Sequence, residues 1–160
     1  MSLRPATSDQ VLRTCHISFD LDGLLVPLAD EFPVEPRGTL ARWIGIEPLR
    51  QGACRLFREL QASGYGTHVY TTSLRPPWKI RLTLWYYGIR VGRIVTELHA
   101  RPCLQALGAA VSKYPPAFGF DLHVDDSPGV RAEGRRLGFR SLAVGPDEDL
   151  RIAVLRALDG

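Results

Sequence analysis

Short apolar runs alternate along this chain with longer segments in which apolar residues recur at helical spacing. The runs predict five β-strands, at residues 15–20, 67–71, 93–96, 120–124 and 139–144. The helical patterns lie at about 49–60, 76–87, 129–137 and 147–158, and a glycine closes each of the first three. The chain therefore alternates between strand and helix from one end to the other.

In two segments the apolar residues show no clear periodicity. Residues 27–48 are polar and contain several prolines, so we predict an irregular connection there. Within 97–118, residues 104–111 fit a helix, but Pro115 and Pro116 would break any continuation. The connection between the third and fourth strands is thus left ambiguous.

Alternation of strands and helices is typical of α/β proteins, in which helices cover both faces of a parallel sheet. The sequence predicts a three-layer, Rossmann-like fold with a mostly parallel five-stranded sheet. A length of 160 residues suits one domain that buries about two-thirds of its unfolded surface. We expect residues 1–160 to form that single domain, with 24–48 as a short flap.

Composition indicates a soluble cytoplasmic protein. Hydrophobic residues make up 45% of the chain and charged residues 23%, as is common in globular domains. The three cysteines are widely spaced, which indicates neither a disulfide framework nor a zinc site. No apolar stretch approaches the roughly 20 residues of a membrane helix, and the first 14 residues lack a signal core. We therefore expect no membrane partner.

The basic residues consist of 18 arginines and two lysines, with a net charge of +3 and a pI of about 9.0. This balance weakly favours anionic ligands. The arginines are scattered singly, except for the pair Arg135 and Arg136, and form no basic tract. Solvated surface charge is therefore favoured over a nucleic-acid partner.

Two pairs of aspartates end two of the apolar runs. Asp20 and Asp22 follow the first strand, and Asp125 and Asp126 follow the fourth. Carboxyl ends of strands in an open α/β sheet line the crevice that binds ligands, so we expect the four carboxylates to converge. They would repel one another unless a cation lay between them. The pattern predicts a site for a hard metal, Mg²⁺, with one aspartate free to act as a nucleophile.

Four segments resemble, in order, the signature motifs of the haloacid dehalogenase superfamily. Residues 19–23, with the sequence FDLDG, resemble the first motif, and 69–73 (VYTTS) resemble the second. Lys113 resembles the third motif in its placement, and 122–126 (LHVDD) resemble the acidic fourth. The sequence departs from the family at Leu24, where Thr or Val is commoner, and in the short distance from the lysine to the fourth motif.

The resemblance implies a role for each of these residues. Asp20 would attack phosphorus to form an aspartyl-phosphate, and Asp22 would protonate the leaving oxygen and then activate water. Mg²⁺ would be held by the Asp20 carboxylate, the backbone carbonyl of Asp22 and the Asp126 carboxylate, with Asp125 acting indirectly or through a water. Lys113 would stabilise the negative charge.

Phosphate oxygens would be held by Thr71, together with backbone N–H groups at Thr72 and the next residue. Arg75, just beyond, fits either an anionic substrate or the surface. Thr71 and Thr72 also fit ordinary β-branched strand positions. Lys79 competes with Lys113 for the role of the motif lysine, although Lys113 is favoured because it leads directly into the fourth strand.

The aspartates also fit ordinary roles in local structure, without any part in a functional site. Asp20 and Asp22 fit the start of a turn, with Gly23 supplying the backbone conformation. Asp125 and Asp126 fit a helix N-terminus. The two alternatives are compatible with a role in the site, because strand ends and helix starts are where ligands bind in such folds.

The function that the resemblance implies is Mg²⁺-dependent hydrolysis of a phosphomonoester, on a phosphorylated small molecule or a phosphoprotein. A phosphatase of the carboxy-terminal-domain type is one alternative, and a non-catalytic phosphate- or metal-binding domain is another. No segment remains to form a large cap domain. We therefore expect an open site that an oligomer or a partner protein could cover.

Overall fold

A single parallel β-sheet runs through the part of the chain that the computed structural model describes, residues 14–108 and 111–160. Its strands are β1 (His16–Phe19), β2 (Gly66–Tyr70), β3 (Ile94–Val95), β4 (Leu122–Asp125) and β5 (Ser141–Ala143). They lie in the order β3-β2-β1-β4-β5, and every neighbouring pair is parallel. The predicted α/β fold class and its five-stranded sheet are confirmed.

Helices flank this sheet. They are α1 (Thr39–Trp43), α2 (Ala53–Ala62), α3 (Pro77–Tyr86), α4 (Glu97–Ala106), α5 (Pro128–Leu137) and α6 (Leu150–Asp159), with a 3₁₀ turn at Pro115–Phe118. α3 and α5 both begin at a proline, whose fixed φ suits the first helical position. Gly138 ends α5 in the left-handed conformation that favours glycine. These boundaries follow the sequence closely.

Four helices differ from the sequence prediction. α2 begins at Ala53 rather than at about residue 49. α1 lies inside the stretch predicted to be irregular. α4 begins at Glu97 rather than at residue 104, because the helix packs Ala100 against Tyr70 and Phe120, a contact that the local pattern does not show. Residues 109–110, within the predicted helix, lie outside the described residues. α6 begins at Leu150 because the Asp149 side chain accepts the Ile152 N–H and caps it there.

The sheet has two unlike faces. Apolar side chains of β1, β2 and β4 pack with those of α2, α3 and α6 in the main core. The opposite face has a smaller apolar cluster around Tyr70, Val95 and Phe120, which α4 covers. Because side chains alternate along a strand, Ile17 and Phe19 enter the main core while Ser18 lies on the other face. That second face carries the polar side chains that lead to the site.

The chain order places a crevice between β1 and β4. After β1 the chain adds β2 and β3 on one side and then returns to the other side of β1 for β4 and β5. Phe19 is paired with Val124, and the backbone N–H of Asp20 donates to the Val124 carbonyl at 2.8 Å. Asp20 and Asp125 therefore leave the sheet side by side, at the point where the strand order reverses and where such folds bind ligands.

Within the described residues, no helix combines the length and the apolar character needed to cross a bilayer.

Candidate active site

Lys113 joins the two acidic strand ends. Its Nζ lies 2.9 Å from Oδ1 of Asp20 and donates a 2.6 Å hydrogen bond to Oδ2 of Asp125. All three side chains are buried, with relative exposures of 3% for Lys113, 7% for Asp20 and 2% for Asp125. A charge buried this deeply is tolerated only when it is paired. The structure thus brings Lys113 to the aspartates, whereas Lys79 lies on α3.

Asp126 reaches the same crevice because Gly23 leaves room for it. Gly23 has a φ of 80°, and a Cβ built on it would lie 2.8 Å from Cγ of Asp126. Real Cβ atoms essentially never approach another atom so closely. Glycine is therefore favoured on two grounds, its backbone conformation and the Asp126 carboxylate, which an added side chain would displace.

Three carboxylates form a group that fits a divalent cation. Asp20, Asp125 and Asp126 each offer an oxygen, and these oxygens lie within 4.8 Å of one another. Among the described residues, Oδ1 of Asp20 is buried and has no partner with hydrogen-bond geometry, although Nζ of Lys113 lies 2.9 Å away. Hard oxygen donors and an oxygen without a hydrogen bond suit Mg²⁺. The Asp22 carboxylate is not part of the group, so its predicted metal contact rests on its backbone carbonyl alone.

Burial and mutual repulsion set the charge of these carboxyls. Burial raises the pKa of Asp20 above its ordinary value, and Lys113 offsets this only in part. Burial and the charge of Asp125 likewise raise the pKa of Asp126. Burial alone would raise the pKa of Asp125 as well, but His123 and Lys113 hold that pKa well below its usual range. Asp125 is thus ionised at neutral pH, and a bound cation would most strongly stabilise the ionised forms of Asp20 and Asp126.

A hydrogen-bonded chain fixes Asp125 from inside the sheet. His123 Nε2 lies 3.1 Å from Oδ2 of Asp125, and its Nδ1 lies 2.9 Å from Oγ of Ser18. Burial lowers the pKa of the fully buried His123, so the ring is neutral. A carboxylate can only accept, which places the ring proton on Nε2 and makes the Ser18 hydroxyl the donor to Nδ1. The Ser127 N–H donates to the other oxygen of Asp125 at 2.8 Å.

Asp22 is held by a different cation. Nη1 of Arg75 lies 2.8 Å from Oδ2 of Asp22, while Nη2 lies 2.8 Å from Oε1 of Glu47. Nη1 of Arg75 also donates to Oγ of Ser73 at 2.8 Å. Within the part of the chain that the structure describes, the second oxygen of Asp22, Oδ1, is buried and has no hydrogen-bond partner. Arg75 therefore orients Asp22 through one oxygen and leaves the other unpartnered among those residues.

The predicted phosphate-holding residues lie at the end of β2. Thr71 is buried, and its Oγ1 accepts the backbone N–H of Ser73 at 3.2 Å, whereas Thr72 is exposed. The register pairs Val69 with Phe19, so Thr71 ends beside the first acidic segment. The roles of Thr71, Thr72 and Arg75 toward a substrate stay predictions.

Sequence reasoning missed two members of the site. His123 is a core histidine with both ring nitrogens hydrogen-bonded, and it also orients Asp125. The sequence signal for this contact is the spacing of two residues between His123 and Asp125, which puts both side chains on one face of β4. Glu47 carries no sequence signal, because its contact with Arg75 depends on how the segment after α1 folds back.

Solved structures of other proteins have the same fold. No protein-family model matches the chain, and no curated protein is significantly similar to it in sequence. A predicted HAD-like family hydrolase from Porphyromonas gingivalis aligns with a TM-score of 0.52 and 17% identity, over 92% of this chain and 98% of that one. A haloacid dehalogenase-like family hydrolase from Streptococcus pneumoniae aligns with a TM-score of 0.54 and 16% identity, over 91% and 98%. The chain therefore shares its fold with these two structures.

Proposed function

We propose that the protein is a Mg²⁺-dependent phosphomonoester hydrolase that acts through an aspartyl-phosphate on Asp20. The observation that carries the proposal is the group formed at the strand crevice by the buried Asp20, Lys113 and Asp125 and the half-buried Asp126. A nucleophilic carboxylate needs a fixed cation beside it to receive an anionic phosphoryl group. The solved structures with this fold are described as hydrolases, which agrees with the proposal.

In the first half of the reaction, a carboxylate oxygen of Asp20 attacks phosphorus and the bond from phosphorus to the ester oxygen breaks. Asp22 gives its proton to the departing oxygen, so that an alcohol leaves. Lys113, whose charge is fixed within 3 Å of the Asp20 carboxylate, stabilises the charge that builds up on the phosphoryl oxygens.

In the second half, Asp22 removes a proton from a water molecule that attacks the phosphorus of the aspartyl-phosphate. The bond to Asp20 breaks, inorganic phosphate leaves and both carboxyls return to their starting states. Arg75 holds the Asp22 side chain in place for this step through the 2.8 Å contact between Nη1 of Arg75 and Oδ2 of Asp22.

Mg²⁺, when bound by Asp20 and Asp126, would neutralise the phosphoryl charge and the mutual repulsion of the carboxylates. Asp125 would contribute to this site indirectly or through a water, because its oxygens already receive hydrogen bonds from Lys113, His123 and Ser127.

The test is a turnover screen with an activated aryl phosphate and a panel of phosphorylated metabolites and phosphopeptides, with and without Mg²⁺. We expect Mg²⁺-dependent release of phosphate, and none from Asp20→Asn. Beryllofluoride, which mimics the acyl-phosphate, should bind the parent protein and fail to bind Asp20→Asn. If the parent binds Mg²⁺ and beryllofluoride but hydrolyses nothing, the protein is a non-catalytic binding domain. Activity in Asp20→Asn would place the nucleophile elsewhere.

A further inference from the structure

All three tryptophans of the chain lie exposed on one region, formed by α1 and α3. Trp43, on α1, has a relative exposure of 84%, and Trp78 and Trp85, on α3, have 67% and 62%. The two helices are neighbours, because the Gly38 N–H at the start of α1 donates to the hydroxyl of Tyr86 on α3 at 3.1 Å. This region is called the α1–α3 surface below.

The outer side of α3 carries large apolar side chains as well as Arg81. Ile80 and Leu84 are buried in the main core, while Trp78, Leu82 and Trp85 form an exposed row at spacings of four and three residues. Large apolar side chains on both sides of a helix indicate that both sides are normally covered. Among the described residues, nothing covers the outer row of α3.

The apolar area on this surface is large for a small protein. At roughly 250 Å² for a fully exposed tryptophan, the three indoles alone expose about 500 Å². The exposed side chains of Leu40, Ile44, Leu74 and Leu82 add to that area. The largest apolar patch of a typical monomer is about 300–600 Å² and is often functional. The α1–α3 surface therefore has the composition of a binding surface, in which Trp, Tyr and Arg dominate.

The charges on this surface have one sign. Residues 36–46 and 74–93 contain seven of the chain's 20 basic residues and none of its 17 acidic residues. Four of the seven bind groups of the protein itself; these are Arg37, Arg75, Arg81 and Arg93. Of the other three, Arg42 and Arg90 are exposed and Lys79 is half-buried. An acidic molecule would be attracted here even though the whole chain carries only +3.

The surface also begins at the rim of the candidate active site. Arg75, which binds Asp22, is three residues before Trp78, and Leu74 beside it is 68% exposed. The segment from α1 returns to the same rim, where Glu47 binds Arg75. A molecule that lies along α3 would therefore end next to the crevice.

Three other occupants fit these observations less well. A second copy using the same face would bring together two faces that both carry Arg42, Lys79 and Arg90, which like charges disfavour. Single-stranded nucleic acid binds by stacking on aromatic rings, and the exposed leucines and isoleucine offer no ring. A helix that lies on a lipid surface keeps its polar face in water, whereas α3 buries its other face in the core.

We propose that the α1–α3 surface docks an acidic polypeptide segment that carries apolar side chains. The tryptophans and leucines would receive the apolar side chains, and the outward cations would pair with the carboxylates. A helical segment along the ten residues of α3 would cover about 15 Å.

The proposal is tested with three synthetic peptides that contain no tryptophan: an amphipathic helix of Glu and Leu, the same peptide with Lys for Glu, and the same with Ser for Leu. Tryptophan emission of the protein reports directly on the surface, since every tryptophan lies on it. We expect the Glu/Leu peptide to shift the emission to the blue and to bind at least tenfold more tightly than the other two. Binding should weaken as salt rises.

Substitutions locate the binding. Labelled Glu/Leu peptide should bind at least tenfold more weakly to Trp78→Ser with Trp85→Ser and to Arg42→Glu. Leu98→Ser, an equally exposed leucine on α4, is the matched control and should bind like the parent. Asp20→Asn should also bind like the parent, and the tryptophan variants should retain hydrolysis of an aryl phosphate. Failure of docking and failure of the proposed activity are thereby distinguished.

Four results would overturn the proposal. The first two are equal binding of all three peptides and unchanged peptide binding after the tryptophan substitutions. The third is a dimer in sedimentation that those substitutions abolish. The fourth is tighter binding of a thymidine oligonucleotide or of phosphatidylserine vesicles than of the Glu/Leu peptide.

Discussion

Nζ of Lys113 donates a 2.6 Å hydrogen bond to Oδ2 of Asp125, and both groups are at most 3% exposed. The same nitrogen lies 2.9 Å from Asp20. One buried cation therefore serves two carboxylates from two strands, and its loss would leave both uncompensated. This relationship makes Lys113 important for stability as well as for the proposed chemistry.

We expect Lys113→Ala to lower both turnover and stability. Removal of one partner from a buried ion pair typically costs about 3–5 kcal/mol in the free energy of unfolding. Urea unfolding and kcat/KM with an aryl phosphate measure the two effects. Lys79→Ala is the control and should stay within about 0.5 kcal/mol of the parent, as expected for a side chain with no buried partner. A larger loss of turnover in Lys79→Ala would move the lysine role to α3.

Mg²⁺ should raise the thermal stability of the protein, because it relieves repulsion that exists only in the folded state. Saturation at 100 times Kd corresponds to about 2.7 kcal/mol. Asp126→Asn should remove most of this shift. Asp125→Asn should lower the stability of the metal-free protein more, because Asp125 binds Lys113, His123 and Ser127. Thermal denaturation with and without Mg²⁺ checks both, and an equal loss of the shift in the two variants contradicts the assignment.

The pH dependence of stability follows from the raised pKa values of Asp20 and Asp126. A carboxyl with a raised folded-state pKa stabilises the fold fully below its ordinary pKa and ceases to do so as pH rises through the raised value. The metal-free protein should lose this contribution as pH rises from about 4, whereas the shift caused by Mg²⁺ should grow. Asp125 acts in the opposite sense, since its lowered pKa keeps it ionised until strong acid. Denaturation between pH 4 and 8 would show these trends, and a Mg²⁺ shift independent of pH would argue against them.

Asp22→Asn should slow hydrolysis by about 10²–10⁴-fold, the usual value of general acid–base catalysis. The deficit should shrink for aryl phosphates with good leaving groups, because these need little protonation to depart. Mg²⁺ binding should survive, since the Asp22 carboxylate lies outside the metal-binding group. A series of aryl phosphates of falling leaving-group pKa measures the effect. A deficit of constant size across that series would mean that Asp22 does not donate a proton.

Gly23→Ala should weaken Mg²⁺ binding at least tenfold, because the added methyl would collide with the Asp126 carboxylate. Gly45 is a matched control, with a φ of 83° and nothing within 4 Å of a built Cβ. Both substitutions impose the strain of a left-handed alanine, about 1–2 kcal/mol. Only Gly23→Ala should lose metal affinity in isothermal titration. Similar metal affinity in the two variants would show that the space at Gly23 is not needed by Asp126.

The sequence by itself determined the strands, most of the helices and the positions of the two acidic pairs. The alternation of side chains in strands and the 3.6-residue period of helices are local properties, so they are visible without a structure. The parallel sheet followed from the order of the elements. The weakest sequence predictions were α1 and α4, where a short helix and an internal proline obscure the period.

Only the tertiary structure decided which cation meets which carboxylate. Lys113 and Lys79 were both compatible with the sequence, and the strand order placed Lys113 between Asp20 and Asp125. Likewise, the pairing of Arg75 with Asp22 depends on a contact between residues distant in the chain. Such contacts are fixed by the packing of one element on another, and packing depends on the shape of the whole core rather than on any local period.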